Sequence, residues 1–410
     1  YDQTSDCVDD GANEIAVAVN GVKQTEVDTT VDGLWEITGV TKPSSGDIIT
    51  VYIDGEATAN ERATAVAKYD GDGDISGITL YQRHLTIGSG DNQTLTNTNL
   101  QNYDYSASGS DVDVIYDVDN GTNDLTVDNL ASYTDETLVV LSGNTYEPDS
   151  GDSGNVTTHD LESDGTITAD GNTFTISGSW DNVGTFTKDT SQVNFTSTAS
   201  ETLVGNLDGT SEFYKVGFNG ASGAWTIQDA MAVDSEAANA TDTFVLTQGT
   251  VTLGDGDADN LEVAGGRMQV GSATGAATFQ TMDNLPEGHP SVISINHDSS
   301  PDTCSNCDVY VGTATNSDPQ GTFTLNENSV LRLNSSASVE AGLEVYASGK
   351  LNLQGQQVAS STTTASTSAT RICDSAGSWS DDDYNGEHVR ISDTFSNTTA
   401  SGEVHEILDT

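Results

Sequence analysis

The segment Gly249-Thr250-Val251-Thr252-Leu253 contains the pattern that decides the fold. Apolar residues alternate with threonine, so a β-strand would place Val251 and Leu253 on one face and both threonines on the other. Threonine is branched at Cβ and suits the pleated surface of a sheet. Related segments begin with Gly-Thr at residues 165–168, 184–187 and 321–325, and with Gly-Lys at 349–353. This recurrence predicts an all-β chain of many short strands.

Other segments show the same period of two, at residues 173–176, 193–196, 261–263 and 330–333. Glycine, asparagine and aspartate lie between them and supply turns that need a positive φ. Alanine is frequent enough to suggest a helix only at residues 56–68 and 227–242. Both segments are short and weakly amphipathic, so loops or strands fit them equally well.

The spacing of these segments is irregular, so no strict repeat length can be assigned. Short strands at this density favour a β-solenoid, in which each turn of the chain stacks on the next. A string of β-sandwiches is the alternative and would show blocks of about seven strands. No block boundary is visible between residues 78 and 355. We therefore expect a β-solenoid shaft, parallel β-helix-like, with a small β-sandwich module at each end.

The N-terminal region, residues 1–76, is predicted to be an extension followed by the first small β-sandwich module. Its apolar segments predict strands at residues 15–19, 34–38, 48–53 and 64–68. Trp35 is the natural side chain to fill its core. Asn20-Gly21 predicts a tight hairpin turn, because both positions tolerate a positive φ.

The remaining chain divides into three predicted regions. Residues 77–358 form the β-strand-repeat solenoid, and the Ser/Thr-rich residues 359–370 form a linker. Residues 371–410 form a second small β module that lacks an obvious closing strand. Either a strand of another chain completes this module, or the natural chain continues beyond Thr410.

Charge excludes several classes of partner. The chain has 64 acidic residues and 12 basic ones, a net charge of -52. A nucleic-acid-binding protein needs a basic surface, and an anionic membrane would repel this chain. No apolar run of about 18 residues encodes a membrane span. Because neighbouring carboxylates repel each other unless they are screened, we expect the chain to work in salt, in divalent cations, or in both.

Three acidic turns are candidate calcium sites. Their alternating or consecutive carboxylates offer the oxygen ligands that Ca²⁺ prefers. They comprise Asp70, Asp72 and Asp74; Asp255, Asp257 and Asp259; and Asp381, Asp382 and Asp383. The first is not an EF-hand, because Ile75 and Tyr81 stand where that loop requires Gly and Glu. A solvated acidic loop is the alternative at each turn.

The four cysteines suggest two kinds of bond. Cys304 and Cys307 are separated by two residues, which favours a local disulfide in an oxidising compartment. A zinc site that adds His289 and His297 is the alternative. Cys7 and Cys373 lie near opposite ends of the chain, whereas bonded Cα atoms lie within about 7 Å. An elongated chain would therefore pair them between neighbouring subunits. Two free thiols, or partner cysteines on chain outside this sequence, are the alternatives.

Catalytic motifs are absent from the sequence. It contains no nucleophile elbow, P-loop, HExxH or GxGxxG motif. A polysaccharide lyase needs a basic residue near bound Ca²⁺, but the basic residues of the middle region are scattered singly. They are Arg83, Lys188, Lys215, Arg267, Arg332 and Lys350. We predict a protein that is not an enzyme, with a β-helix polysaccharide lyase or glycoside hydrolase as the alternative.

A succession of short aromatic and apolar motifs runs from residue 180 to 253. Trp-Asp-Asn-Val-Gly-Thr-Phe-Thr at 180–187 is followed by Val-Asn-Phe at 193–195, Phe-Tyr-Lys-Val at 213–216 and Phe-Val-Leu at 244–246. This succession resembles that of large bacterial β-strand-repeat cell-surface proteins. The tail, 379–407, is similar to a small β module of phage and surface proteins. The resemblance implies an extracellular structural role, as a subunit of a filament, a surface layer (S-layer) or an adhesive stalk. We expect the chain to self-associate, its carboxylates to be bridged by Ca²⁺, and its surface to contact glycans or the cell surface.

Overall fold

The computed structural model describes most of the chain up to residue 282 and mainly strands beyond it. The described residues are 14–28, 33–55, 62–105, 112–127, 135–149, 154–235, 243–255, 259–272, 275–282, 291–296, 308–312, 321–326, 329–333, 342–345, 349–353, 357–359, 372–374, 390–392 and 404–406.

These residues are mostly β-strand, which confirms the all-β prediction. Within the ranges given above, the helical segments are α1 (Asn97–Leu100) and two 3-10 turns, Gln101–Tyr103 and Gly209–Ser211. None of the helices in the described ranges is long and apolar enough to cross a membrane. The chain divides into two units between Ser191 and Gln192, and each is described by itself below.

The first unit contains the following strands within its described residues. They are β1 (Glu14–Val19), β2 (Val22–Asp28), β3 (Ile48–Asp54), β4 (Thr64–Lys68), β5 (His84–Ile87), β6 (Thr94–Leu95), β7 (Tyr116–Val118), β8 (Leu125–Val127), β9 (Thr137–Val140), β10 (Thr145–Tyr146), β11 (Val156–Thr158), β12 (Asp160–Ser163), β13 (Thr166–Thr168), β14 (Thr173–Ile176), β15 (Trp180–Asn182) and β16 (Thr185–Thr187).

The first unit opens with an antiparallel sheet in the order β2-β1-β3-β4. Asn20 and Gly21 have φ of 46° and 76° and form the turn between β1 and β2, as predicted. Trp35 is half-buried and packs against a buried cluster that includes Ile15, Val51 and Tyr69, so it covers the core of this sheet and does not fill it as predicted.

One strand prediction in this region was wrong. Residues 35–38 form no strand, and Leu34 makes only an isolated bridge although the segment alternates polar and apolar residues. The strand that the prediction missed is β2, whose residues are exposed or half-buried throughout. An exposed edge strand has no apolar face, so hydrophobic periodicity cannot reveal it.

From β5 onward, the strands of the first unit pair in three series that we call ladders. Ladder 1 is β5-β9-β12-β15, ladder 2 is β7-β8-β11-β14, and ladder 3 is β6-β10-β13-β16. All of these pairings are parallel except that of β7 with β8. Between β8 and β16, consecutive strands enter ladders 2, 1 and 3 in constant rotation.

The three ladders of the first unit contribute to one apolar core. Phe174 comes from ladder 2, Trp180 from ladder 1 and Phe186 from ladder 3, and all three side chains are fully buried. The Phe186 ring makes edge contacts with Phe174 and Trp180, at centroid distances of 5.9 and 5.2 Å. Such aromatic pairs stabilise a core beyond the area they bury.

The second unit contains the following strands within its described residues. They are β17 (Gln192–Phe195), β18 (Ser200–Gly205), β19 (Lys215–Ile227), β20 (Met231–Asp234), β21 (Phe244–Leu253), β22 (Asn260–Ala264), β23 (Met268–Val270), β24 (Ala277–Thr281), β25 (Ser291–Asn296), β26 (Asp308–Val311), β27 (Gly321–Leu325), β28 (Ser329–Leu333), β29 (Gly342–Val345), β30 (Gly349–Leu353), β31 (Gln357–Ala359), β32 (Ile372–Asp374), β33 (Arg390–Ser392) and β34 (Val404–Glu406).

The second unit also has three parallel ladders. Ladder 4 is β18-β19-β21-β24-β27-β30, ladder 5 is β17-β19-β21-β23-β26-β29-β32, and ladder 6 is β20-β22-β25-β28-β31. The long strands β19 and β21 belong to both ladders 4 and 5. From β22 to β32, consecutive strands enter ladders 6, 5 and 4 in constant rotation. Strands β33 and β34 form a separate antiparallel pair.

Register within the ladders is maintained although the chain between paired strands varies in length. Val156 pairs with Phe174, 18 residues away, whereas Thr278 pairs with Thr322, 44 residues away. Insertions therefore fall between the strands, which explains why the sequence has no strict period.

The boundary between the two units lies inside the predicted region 77–358. The predicted region boundaries stay predictions, and almost all of 359–410 lies outside the described residues.

Candidate functional site

The first predicted calcium turn lies directly after β4, and its three aspartates are exposed. The N–H of Asp72 donates to Oδ1 of Asp70 at 2.7 Å, so the Asp70 side chain closes the turn locally. The N–H of Asp70 donates to Oδ2 of Asp91 at 3.1 Å and joins the turn to the loop after β5. The hydroxyl of Tyr69 donates to the carbonyl of Gly73 at 2.8 Å. These bonds account for the shape of the turn without a bound ion.

The second calcium turn is described only in part. Asp255 is exposed and Asp259 is buried, while Asp257 lies outside the described residues, as do Asp381, Asp382 and Asp383. Within the described ranges, no three His, Cys, Asp or Glu side chains are grouped so that they could hold a metal ion. Calcium binding therefore stays a prediction.

The cysteine predictions are not tested by the structure. Cys7, Cys304 and Cys307 lie outside the described residues, together with His289 and His297. Cys373 lies in β32, where its backbone pairs with Glu344 of β29. Both proposed disulfides stay predictions.

A row of carboxylates on ladder 1 was missed by sequence reasoning. We call it the acidic row and define it as Asp160, Glu162, Asp164 and Asp181. Glu162 lies in register with Asp181 of the adjacent strand, while Leu161 and Trp180 point into the core. Asp160, Glu162 and Asp164 alternate with Leu161 and Ser163, so the sequence indicates that the three carboxylates share the outward face of the strand. The pairing with Asp181 depends on strand register, which the sequence does not give.

The acidic row perturbs the ionisation of Glu162. Partial burial raises the pKa of the Glu162 carboxyl, and the negative charges of Asp181, Asp160 and Asp164 raise the pKa further. At one end of the row, Nε2 of His159 lies 4.0 Å from Oδ1 of Asp160. Like charges directly opposite each other on neighbouring strands are destabilising. The row therefore stores a repulsion that a proton, dissolved salt or a bound cation would relieve.

Several basic residues of the middle region are occupied by packing contacts. Arg83 forms an ion pair with Asp135. The ammonium group of Lys215 lies 5.6 Å from the ring centre of Tyr214, and the guanidinium of Arg267 lies 5.1 Å from that of Tyr310. Contacts of this kind stabilise a surface and do not assemble a catalytic base.

The second unit contains an open polar cleft at one edge of ladder 4. We call it the hydroxyl–amide cleft, and its volume is about 430 Å³. Its lining residues are Thr252, Gln280, Thr281, Met282, Thr324, Asn326 and Asn352. Four of them, Thr252, Gln280, Thr324 and Asn352, occupy one register position on four successive strands. Sequence reasoning missed this cleft because loops of different lengths separate these strands.

Comparison with known proteins identifies no family for this chain. No protein-family model matches it, and no curated protein and no solved structure shows significant similarity to it. The resemblance to β-strand-repeat proteins therefore rests on the sequence motifs alone.

Proposed function

We propose that this chain is a non-enzymatic structural protein of the cell exterior, a subunit of a filament, surface layer or adhesive stalk. Its architecture would be a β-solenoid shaft with small β modules at the ends. The observation that carries this proposal is the constant rotation of consecutive strands through three ladders in each unit, with parallel pairing from β8 to β16 and from β22 to β32. A chain that coils repeatedly about one axis produces this order of pairing.

The way the core is filled supports a mechanical role. Side chains at equivalent register positions stack along the ladders, as Phe279 and Phe323 do with nearly parallel rings and centroids 5.3 Å apart. Each turn is held to the next by backbone hydrogen bonds and apolar contacts. Such a stack resists deformation without needing a catalytic or ligand-binding centre.

The charge of the chain supports an exterior location rich in ions. A net charge of -52 and features such as the acidic row favour an environment in which salt or divalent cations screen the carboxylates. We propose that Ca²⁺ bridges carboxylates of neighbouring subunits and promotes assembly. An inter-subunit disulfide between Cys7 and Cys373 would reinforce the same contacts.

A glycoside hydrolase is the second candidate function. The observation that favours it is the pair Glu162 and Asp181, two carboxyl groups on adjacent strands of which Glu162 has a raised pKa. Retaining glycosidases use neighbouring carboxyl groups as general acid and nucleophile. The packing contacts of Arg83, Lys215 and Arg267 provide no support for the lyase alternative.

Negative-stain electron microscopy of the purified full chain tests the structural proposal. The first sample contains 1 M NaCl and 5 mM CaCl₂. Two matched samples contain in addition either excess EDTA or a reductant. We expect regular filaments or sheets that disassemble with at least one of these reagents. Dispersed monomers that release reducing sugars from polysaccharides, with the release abolished by E162Q, would contradict the proposal and support the hydrolase.

A further inference from the structure

The hydroxyl–amide cleft has no role in the proposed structural function. It is built on the outward side of ladder 4, where Val251, Phe279, Phe323 and Leu351 of the same strands point into the core. Successive parallel strands lie about 4.8 Å apart. The register position shared by β21, β24, β27 and β30 therefore extends over about 14 Å, three strand spacings.

The polar groups of the cleft are arranged in hydrogen-bonded pairs. Nε2 of Gln280 donates to Oγ1 of Thr252, and Nδ2 of Asn352 donates to Oγ1 of Thr324, each at 3.1 Å. In each pair the amide nitrogen faces the threonine, so the amide carbonyl and the threonine hydroxyl hydrogen are the groups suited to a ligand. The lining therefore offers an acceptor and a donor in alternation.

The inner wall of the cleft is fixed by a buried network. Asn326 donates from Nδ2 to the carbonyl of Thr281 at 2.6 Å and from its backbone N–H to Oγ1 of Thr281 at 2.9 Å. The hydroxyl of Ser329 donates to the same Oγ1 at 2.7 Å. Thr281 and Ser329 are almost fully buried. This preorganisation reduces the entropy that a ligand would otherwise lose on binding.

The chemistry of the lining selects for a neutral ligand. The chain carries 64 acidic residues, yet none of the seven residues that line the cleft is charged. Among the described lining residues a cation finds no carboxylate partner, and the overall negative charge would repel an anion such as a uronate or a sulfated sugar. Met282 adds one apolar surface. The volume of about 430 Å³ falls within the usual range for small-ligand sites.

We propose that the hydroxyl–amide cleft binds a neutral oligosaccharide. A sugar hydroxyl both donates and accepts a hydrogen bond, which matches the alternating groups of Gln280, Thr252, Asn352 and Thr324. A linear glycan repeats its hydroxyls along its length, as the ladder repeats its side chains. This inference goes beyond the structural role and does not depend on it.

Isothermal titration calorimetry on the full chain tests the inference. The probes are maltohexaose, cellohexaose and mannohexaose, with hexagalacturonate as the charged comparison. We expect at least one neutral hexasaccharide to bind, with affinity at least tenfold higher than that of hexagalacturonate. Q280E and N352D keep the size of the side chain but add a charge, and each should weaken binding at least tenfold.

The matched control is Q248E. Gln248 lies in β21 and donates to Oδ1 of Asn219 at 2.8 Å, an amide pair on the same unit that does not line the cleft. This variant should bind within about twofold of the parent chain. Circular dichroism and melting temperature establish that each variant is folded. Absence of binding to all three neutral probes at millimolar concentration, preference for hexagalacturonate, or equal affinities in Q280E, N352D and Q248E would overturn the inference.

Discussion

At the scale of single residues, close approach of a neighbouring backbone explains the glycines of the recurrent Gly-Thr segments. A Cβ on Gly184 would lie 1.9 Å from the carbonyl oxygen of Gly165, and one on Gly321 would lie 2.3 Å from that of Val270. Gly165 and Gly249 are also confined by backbone carbonyls. A side chain at these four positions would therefore collide with the backbone of a neighbouring segment, so glycine is required at each of them.

Replacement of Gly184 by alanine should destabilise the first unit. The added methyl group meets backbone atoms that cannot move without disturbing the ladder, so we expect a loss of about 1–3 kcal/mol in the free energy of unfolding. Urea denaturation followed by circular dichroism measures the loss. G121A is the control. A Cβ on Gly121 would meet a side-chain oxygen of Asp119 at 3.1 Å but would lie against no backbone atom of a neighbouring segment among the described residues. Equal stability of G184A and G121A would contradict the packing argument.

Glu162 makes stability depend on pH. Its pKa is raised in the folded chain, so folding favours the protonated form. That favourable contribution is complete below the unfolded pKa of about 4.3 and is lost as the pH rises through the folded value. Charged Glu162 is therefore less favourable than glutamine at neutral pH. The melting temperature of E162Q should exceed that of the parent by about 1–3 °C at pH 7, and the difference should shrink towards pH 4.

The control for this prediction is E262Q. Glu262 lies in the middle of β22, where its register partners are the uncharged Ala232 and Ser294. Because no like charge lies opposite Glu262 on either neighbouring strand, its replacement should raise the melting temperature at pH 7 by less than E162Q does. A gain in E162Q that persists unchanged at pH 4 would show that the repulsion in the acidic row is not its source.

At the scale of elements, the core of the first unit depends on side chains from all three ladders. Phe186 contacts Phe174 and Trp180, each of which belongs to a different ladder. Truncation to alanine leaves a cavity where the ladders meet, so F186A should lose about 3–5 kcal/mol of unfolding free energy. T185A changes the outward neighbour on the same strand and should lose less than about 1 kcal/mol. Urea denaturation compares the two variants, and similar losses would place Phe186 outside the core.

Individual strands of the middle region could be predicted because alternation of apolar and polar residues is local. Residues 173–176, 185–187 and 321–325 have the strands that the pattern predicts. Strand β2 could not be found, because it buries no apolar face. The order of pairing also could not be predicted, since gaps of 18 and 44 residues give the same parallel register.

The same limit applies to the candidate sites. The turn at Asp70 was visible because its residues are adjacent in sequence, and local hydrogen bonds explain it without a ligand. Glu162 and Asp181 are 19 residues apart and become neighbours only through ladder register. Gln280 and Asn352 likewise belong to one cleft only after β24, β27 and β30 have been aligned. Sites built across strands require register, which is a tertiary property.

At the scale of the whole molecule, the excess of acidic residues should make stability depend on salt. Raising NaCl from 0.1 to 1 M shortens the range of charge repulsion from about 10 Å to about 3 Å. The net charge of -52 opposes compaction, so the melting temperature should rise over this interval. Differential scanning fluorimetry measures the change, and the same salt series at pH 4, close to the sequence pI of about 4.1, is the control at low net charge. A melting temperature that is unaffected by NaCl at pH 7, or that rises equally at pH 4, would contradict this expectation.

The central claim is that the chain coils into a stack of parallel turns, and distances along ladder 4 test it most directly. Thr202, Thr226 and Asn352 occupy one register position, with five strand spacings between the first and the last. Ketone-bearing residues at these positions would carry spin labels without modifying the four native cysteines. Double electron–electron resonance measures the distance between two spin labels. It should give about 24 Å between positions 202 and 352 and about 19 Å between positions 226 and 352. The stack would be contradicted if these two distances did not differ by about one strand spacing. It would also be contradicted if both exceeded about 35 Å, which corresponds to about seven strand spacings.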